Sequence, residues 1–244
     1  MDTTSGADIA PQNRILRALP GEERDQLFPG LELVALPTQT VLFEPGTAIR
    51  CVHFPLDGVV SLVTPLADGD IVEVATIGNE GIVGVPLVAG GSLAVRAISQ
   101  VGGRALRMEA TAFTAALDHL PAFRRLVRRY IQALFGQISQ AAACNRLHSN
   151  EERLSRWLLM SHDRVETDTF PITHEFLGQM LGSRRATVTL SAGLLQSAGL
   201  IRYHRGRVTI VDRRGLEGVS CECYAIIRAA LDQVVASSAA PQQV

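Results

Sequence analysis

The chain has 244 residues, of which 47% are hydrophobic and 19% charged, with a formal net charge of −1. That length accommodates two domains with a sizeable core, and the near-neutral balance excludes a uniformly basic coat for nucleic acid. All 23 basic side chains are arginine, and they cluster at 124–129, 184–185 and 202–214. The absence of lysine fits a GC-rich genome more simply than a mechanism. Four cysteines (Cys51, Cys144, Cys221 and Cys223) lack metal-site spacing and point to a reducing cytoplasm, not a disulfide scaffold. The opening MDTTSGADIAPQ is acidic with no apolar centre, so no signal peptide is expected. Glu73, Asn79, Glu80, Arg96 and several glycines interrupt the most apolar region, 71–101, which cannot span a membrane.

Residues 12–28 carry a short helical pattern, with Ile15, Leu16, Leu19 and Leu27 apolar and a break at Pro20-Gly21. From Leu31 to Glu109 the pattern changes to short β runs: LELVAL, TVLF, CVHF, GVVSLVTPL, DIVEVATIG, LAVRAIS and RALRME. Turn signals at Glu44-Pro45-Gly46, Asp57-Gly58, Asp68-Gly69 and Gly102-Gly103 separate them. Runs of this number and spacing predict an antiparallel roll or barrel, after which ATAFTAALDHL returns to helix.

Residues 121–147 read as one long helix opened by Pro121 in its first turn. Val127, Ile131, Leu134, Ile138 and Ala141 follow the 4-3-4-3 spacing of a coiled-coil seam, which makes them the expected homodimer interface. A second stripe, Phe123, Leu126 and Tyr130, is placed to pack on the roll. Ser149 and Glu152 form a capping box that starts a new helix, NEERLSRWLLMSHDRV. Four segments follow: the β runs with their flanking helices over 1–120, the dimerisation helix over 121–148, a further domain over 149–235 and a disordered tail over 236–244.

Within the third segment, Thr173 is placed to cap the helix HEFLGQML, Gly182 to end it in the left-handed conformation, and Ser183 to cap the next helix, which runs to about Ser197. Two short helices joined by a glycine turn match a helix-turn-helix. On the second, Val188, Ala192 and Leu195 share the inward side, and Arg185, Ala186, Thr189 and Leu190 the outward side. LIRYH, Arg205-Gly206 and RVTIVD then make a hairpin wing with arginines at its tip. Cations at a helix N-terminus oppose the helix dipole, at about 0.3–1 kcal/mol each. In a major groove the same arginines meet phosphates and guanine edges, which offsets that cost. The competing reading is a basic face on a protein-interaction module without sequence-specific DNA binding.

In this order of elements, and most specifically in THEFLGQMLGSRRATVTLSAGLLQSAGLI, the chain resembles the Crp/Fnr family of bacterial transcription regulators over about residues 14–220. The resemblance implies an α+β protein: a cyclic-nucleotide-binding-like β-roll, a long dimer helix and a winged helix-turn-helix. It implies a homodimer on near-palindromic double-stranded DNA, with RNA polymerase as a further partner. By resemblance the first recognition-helix arginine falls on Arg185 and a phosphate-contacting threonine on Thr187. The full DNA-binding set is Thr173, His174, Gln179, Ser183, Arg184, Arg185, Ala186, Thr187, Thr189, Leu190, Arg205 and Arg207. Ala186 and Leu190 depart from the family's acidic residue and second base-reading arginine, so a different operator is expected.

The family's cyclic-phosphate cassette is degraded. Its Gly-Glu pair reads Gly84-Val85-Pro86 here, and its Arg-Ser pair reads Gly91-Ser92. Without the arginine a buried phosphate lacks its partner, so cyclic AMP is not expected to bind and another small effector is open. The effector-pocket candidates are Gly84, Val85, Gly91, Ser92, Arg96 and Ser139. No cofactor and no metal is expected. Cys221-x-Cys223 on the last helix reads as packing, His148 and Glu152 straddle a helix start, and His53 lies in a strand. No nucleophile elbow, P-loop or dinucleotide fingerprint marks an enzyme.

Overall fold

The computed structural model describes residues 12–89, 93–165 and 167–236. Two short helices, α1 (Arg14–Arg17) and α2 (Gly21–Leu27), precede seven strands. The strands are β1 (Glu32–Leu36), β2 (Val41–Phe43), β3 (Cys51–Pro55), β4 (Val59–Pro65), β5 (Ile71–Ile77), β6 (Arg96–Val101) and β7 (Gly103–Glu109). They form two antiparallel sheets, β1-β7-β3 and β2-β6-β4-β5. Runs such as VVSLVTP in β4 are buried on both faces except at their ends, so they read as continuous apolar stretches instead of alternating ones.

Asn13 fixes how the chain enters the roll. Its Oδ1 accepts from the backbone N–H of Ile15 and Leu16 and so caps α1, while its Nδ2 donates to the carbonyls of Pro55 and Gly81.

Helix α3 (Ala110–His119) leads into α4 (Pro121–Leu147), the long helix. No residue next to α4 caps it. Instead Glu23 of α2 reaches across, and its two carboxylate oxygens accept from the N–H groups of Ala122 and Phe123 at 2.8 Å each. An acid from elsewhere in the fold thus satisfies the positive end of the helix. The stripe Phe123, Leu126 and Tyr130 is buried, and Phe123 packs edge-on to Phe113 and beside Phe54.

The predicted seam resolves differently. Val127, Leu134 and Ala141 are buried within their own protomer, and Ile131 and Ile138 are half-buried. Val127, Leu134 and Ala141 therefore have no surface to offer a second chain, because the roll and the last helix already cover that face of α4. Two large apolar side chains of α4 stay in solvent: Phe135, 70% exposed, between Ile131 and Ile138, and Leu147, 74% exposed, at the end of the helix.

Helix α4 ends at Leu147, and α5 (Asn150–His162) begins after two extended residues, His148 (ψ 153°) and Ser149 (ψ 162°). The capping box is present in both directions: Ser149 N–H donates to the Glu152 carboxylate at 2.7 Å, and Glu152 N–H to Ser149 Oγ at 3.3 Å. Beyond α5 come β8 (Thr169–Pro171), α6 (His174–Leu181), α7 (Arg185–Ser197), β9 (Ile201–His204), β10 (Arg207–Ile210), α8 (Arg213–Val219) and α9 (Cys223–Ala236). The sheet β8-β10-β9 forms the wing. Strand β8 and helix α8 have no counterpart in the sequence reading, because three and seven residues give too short a signal. Helix α9 packs against α4 and carries Ala236 as its last residue; the tail expected over 236–244 otherwise lies outside the described residues.

Buried polar groups stitch α5 to the roll. Arg164, just past α5, pairs with Glu80 at 2.7 Å, with both side chains almost wholly buried. Gly78 makes room for it: a Cβ there would lie 2.4 Å from Arg164 Cγ. Deeper in, Ser61 Oγ lies 2.6 Å from Glu73 Oε2 and 2.5 Å from Gln100 Oε1, and Gln100 Nε2 reaches Ser161 Oγ of α5 at 3.4 Å.

Candidate nucleic-acid interface

Thr173 caps α6 by accepting from the Phe176 N–H at 3.1 Å. Gly182 ends that helix with φ 56° and ψ 41°, a conformation costly for any residue with a Cβ, and its N–H bonds the carbonyls of Gly178 and Gln179. Ser183 does not cap the next helix. Its hydroxyl donates to Asn150 Oδ1 at 2.7 Å, and α7 starts one residue later than expected, with Arg184 at the cap position and no side-chain cap bond. The tight turn leaves the Ser183 side chain facing α5, so it fixes the turn to that helix.

An uncapped, arginine-flanked helix start results. The first-turn N–H groups of α7 find no partner in their own cap residue, and Arg184 and Arg185 stand in solvent beside them. The nearest acid to Arg185 is Glu175, at 3.9 Å between two groups that are both more than two-thirds exposed, which is worth little in water. Backbone N–H groups, helix dipole and guanidinium groups together suit a phosphate.

Along α7, Val188, Ala192 and Leu195 are buried, whereas Arg185, Ala186, Thr189 and Leu190 are exposed, Leu190 at 71%. Glu151 of α5 anchors the buried side through the Ser191 hydroxyl at 2.7 Å. Thr187 is half-buried at the edge of the exposed face, and Thr173 and Gln179 are exposed on α6.

His174 takes a different place from the one its position suggests. Thr189 Oγ1 lies 3.0 Å from both the Arg185 carbonyl and His174 Nδ1, and the Nδ1–H tautomer satisfies both contacts at once. The imidazole stacks on Tyr203 of the wing at 4.2 Å between centroids, and burial, then the Arg185 charge, holds its pKa down. His174 thus braces the reading helix against the wing. At the wing tip Arg205 (φ 46°) and Gly206 (φ 72°) form the two-residue turn, and Arg205 and Arg207 are exposed. The Gly206 carbonyl accepts from Ile172 N–H at 2.8 Å, seating the tip beside the start of α6.

The effector-pocket candidates behave less uniformly. Gly84 and Val85 are buried, and Gly91 and Ser92 lie outside the described residues. The Arg96 guanidinium is engaged by Glu44 at 2.8 Å, and the Ser139 hydroxyl donates back to the Phe135 carbonyl at 3.0 Å. Neither polar group points at a shared site. His53 is buried in β3, and burial pushes its imidazole down to about 4.

A second constellation is one that the sequence reading divided. Cys144 and His148 from the end of α4 meet Cys221 and Cys223 from the start of α9, with the four ligand atoms all within 4.8 Å of one another. Cys221 precedes α9 and Cys223 is its first residue. Glu152, the residue paired with His148 from spacing alone, is engaged by the Ser149 cap instead. A Cys-x3-His followed far along by Cys-x-Cys is the signal that was there to find. It becomes meaningful only once α9 is known to return to α4.

A β-roll joined by a long helix to a winged helix-turn-helix with an exposed basic reading face defines a DNA-binding regulator architecture. Residues 152–219 match the Crp-like helix-turn-helix domain family. Among solved structures, the chain is similar to FixK2 from Bradyrhizobium japonicum (14% identity over 78% of this chain and 98% of that one, TM-score 0.67). It is also similar to TTHB099, a CRP-family transcriptional regulator from Thermus thermophilus (20% identity, 77% and 96%, TM-score 0.63). The c-di-GMP responsive global regulator CLP of Xanthomonas campestris is a third (14% identity, 78% and 99%, TM-score 0.61). No curated protein matches the chain. The chain therefore carries a Crp-like helix-turn-helix domain within the Crp/Fnr fold. No helix among the described residues is long and apolar enough to cross a membrane.

Proposed function

We propose that the protein is a homodimeric, sequence-specific DNA-binding transcription regulator of the bacterial cytoplasm. The observation that carries this reading is the exposed face of α7, where Arg185, Ala186, Thr189 and Leu190 project beside an uncapped basic helix start and a wing tipped by Arg205 and Arg207. Arg185 reads a base edge, Arg184 and the wing arginines hold phosphate, and the apolar Ala186 and Leu190 suit a thymine methyl. A second copy docks on the face of α4 around Phe135. RNA polymerase is the further partner through which such a regulator acts.

Cyclic AMP is not the effector. Gly91 stands where the resemblance places the phosphate-binding arginine, and the nearby Arg96 is already paired with Glu44. The CLP structure is described as c-di-GMP responsive, so a small effector other than cyclic AMP is compatible with this fold.

The test is selection of bound sequences from random DNA with the full-length protein. The expected product is a near-palindromic site whose half-sites lie about one helical turn, roughly 34 Å, apart. Binding that is salt-sensitive but enriches no sequence would overturn the sequence-specific reading.

A further inference from the structure

We infer that Cys144, His148, Cys221 and Cys223 form a tetrahedral zinc site that clamps the start of α9 to the joint between α4 and α5. The distances fit one ion. Cys144 Sγ and Cys221 Sγ are 3.5 Å apart, as are Cys223 Sγ and His148 Nδ1. Zinc–sulfur bonds of about 2.3 Å and zinc–nitrogen bonds of about 2.0–2.1 Å put the corners of a tetrahedron roughly 3.5–3.8 Å apart. No ligand has to travel far to close the shell.

The donor chemistry selects the metal. Three thiols and one imidazole make a Cys3His set, which suits a borderline-soft divalent ion held in a closed structural site. Cubane and rhombic iron–sulfur clusters held by four thiolates need one more cysteine, and the remaining one, Cys51, sits in β3 with its thiol on Glu109.

The surroundings are those of a ligand shell. His148 Nε2 lies 3.3 Å from the Glu222 carboxylate, so the outer ring nitrogen has a partner for its proton and the Nδ1 lone pair is free to face the thiols. A carboxylate behind a ligating histidine fixes its tautomer in this way. Gln140 Nε2 donates to Cys223 Sγ at 3.1 Å, an amide donor aimed at a ligand sulfur. Three thiolates with one zinc ion leave a net charge of −1, and the cations of Arg153 and Arg156 act on Cys144 from α5 to balance it. Plain packing of small apolar side chains accounts for the burial of the three cysteines. It does not account for an imidazole, a carboxylate and an amide converging on them.

The location gives the site its role. His148 is the last residue before the Ser149 cap of α5, so the ion would tie together the end of the long helix, the start of α9 and the connection into the DNA-binding domain.

Metal analysis and cobalt substitution of the full-length protein test the site directly, without reference to DNA. Protein expressed with zinc and purified under reducing conditions is expected to carry one zinc per chain. After exchange, cobalt should give the intense visible bands of tetrahedral coordination with thiolate-to-cobalt charge transfer. The Cys221→Ser/Cys223→Ser protein should lose both signals, while Cys51→Ser keeps them. Wild-type protein that is metal-free and leaves cobalt in its pale octahedral form overturns the site, as does retention of zinc by the double variant. A Cys144–Cys221 disulfide in the reduced preparation, or iron with acid-labile sulfide, also overturns it. If the double variant fails to fold, the wild-type cobalt spectrum still decides.

Discussion

At the residue scale, Arg184 and Arg185 are neighbours with different surroundings, and their substitutions should separate. Arg185 shares the exposed face with Ala186, Thr189 and Leu190, so Arg185→Ala is expected to cost about 1–3 kcal/mol at the preferred site and to flatten one base position per half-site. Arg184→Ala and Arg205→Ala should weaken all sequences alike and make the salt slope shallower by about one unit per contact. Salt titrations on preferred and scrambled DNA check this; equal losses for Arg185→Ala on both would remove its base-reading role. Glu73 supplies a second residue-scale expectation. Burial raises its carboxyl from 4.5 to about 7, against the opposing pull of Ser61, Arg156 and Arg164. Proton counting agrees: Ser61 has one hydrogen and two close acceptors, which is satisfied if Glu73 is protonated and donates to Ser61 while Ser61 donates to Gln100. Between pH 4.5 and about 7 the folded chain then holds a proton that the unfolded chain has lost. Stability should therefore fall as pH rises through that window, by about 3 kcal/mol from this group, and stay level above it. Glu73→Gln should remove that slope in urea melts; parallel curves for the two proteins would refute it. The outward and inward sides of α7 were legible from helical spacing alone. The brace by His174 was not, because its partners Thr189 and Tyr203 are set by tertiary packing.

At the element scale, α4 illustrates what a heptad pattern can and cannot say. The spacing of Val127, Ile131, Leu134, Ile138 and Ala141 does mark an apolar face, but a helix between a β-roll and α9 needs such a face for its own subunit. Which apolar stripe is left over for a partner depends on what the rest of the chain covers, and spacing carries no record of that. Phe135→Asp is accordingly expected to shift the protein towards monomer in sedimentation while leaving its thermal unfolding nearly unchanged. Leu134→Ala should instead destabilise the fold by about 2–5 kcal/mol. A dimer that survives Phe135→Asp at micromolar concentration would place the contact elsewhere. The glycine turn is likewise legible, since few other residues end a helix at positive φ. Its second constraint is invisible in sequence: a Cβ on Gly182 would stand 3.2 Å from Val72 of β5.

At the scale of the whole molecule, the order of roll, long helix and winged domain could be read from changes of period and from turn signals. The way the two ends of the chain meet could not, because contacts such as Glu80 with Arg164 or Gln100 with Ser161 join residues with no local pattern in common. Glu80→Gln leaves a buried guanidinium without its counter-charge, so it should lower stability by about 3–5 kcal/mol in denaturant unfolding. A loss below about 1 kcal/mol would mean that water reaches the pair. The two extended residues His148 and Ser149 have a consequence for geometry. Together with the buried Arg164–Glu80 pair they set the angle of the reading helix relative to α4, and in the proposed twofold dimer any change in that angle would be mirrored, so the gap between the two reading helices would change by twice the displacement of either. Duplex DNA offers its grooves at a fixed pitch, and so acts as a gauge that accepts only a narrow band of such angles. Anything that biases those few backbone dihedrals, whether effector, partner or bound ion, therefore has leverage over DNA binding out of proportion to the size of the movement.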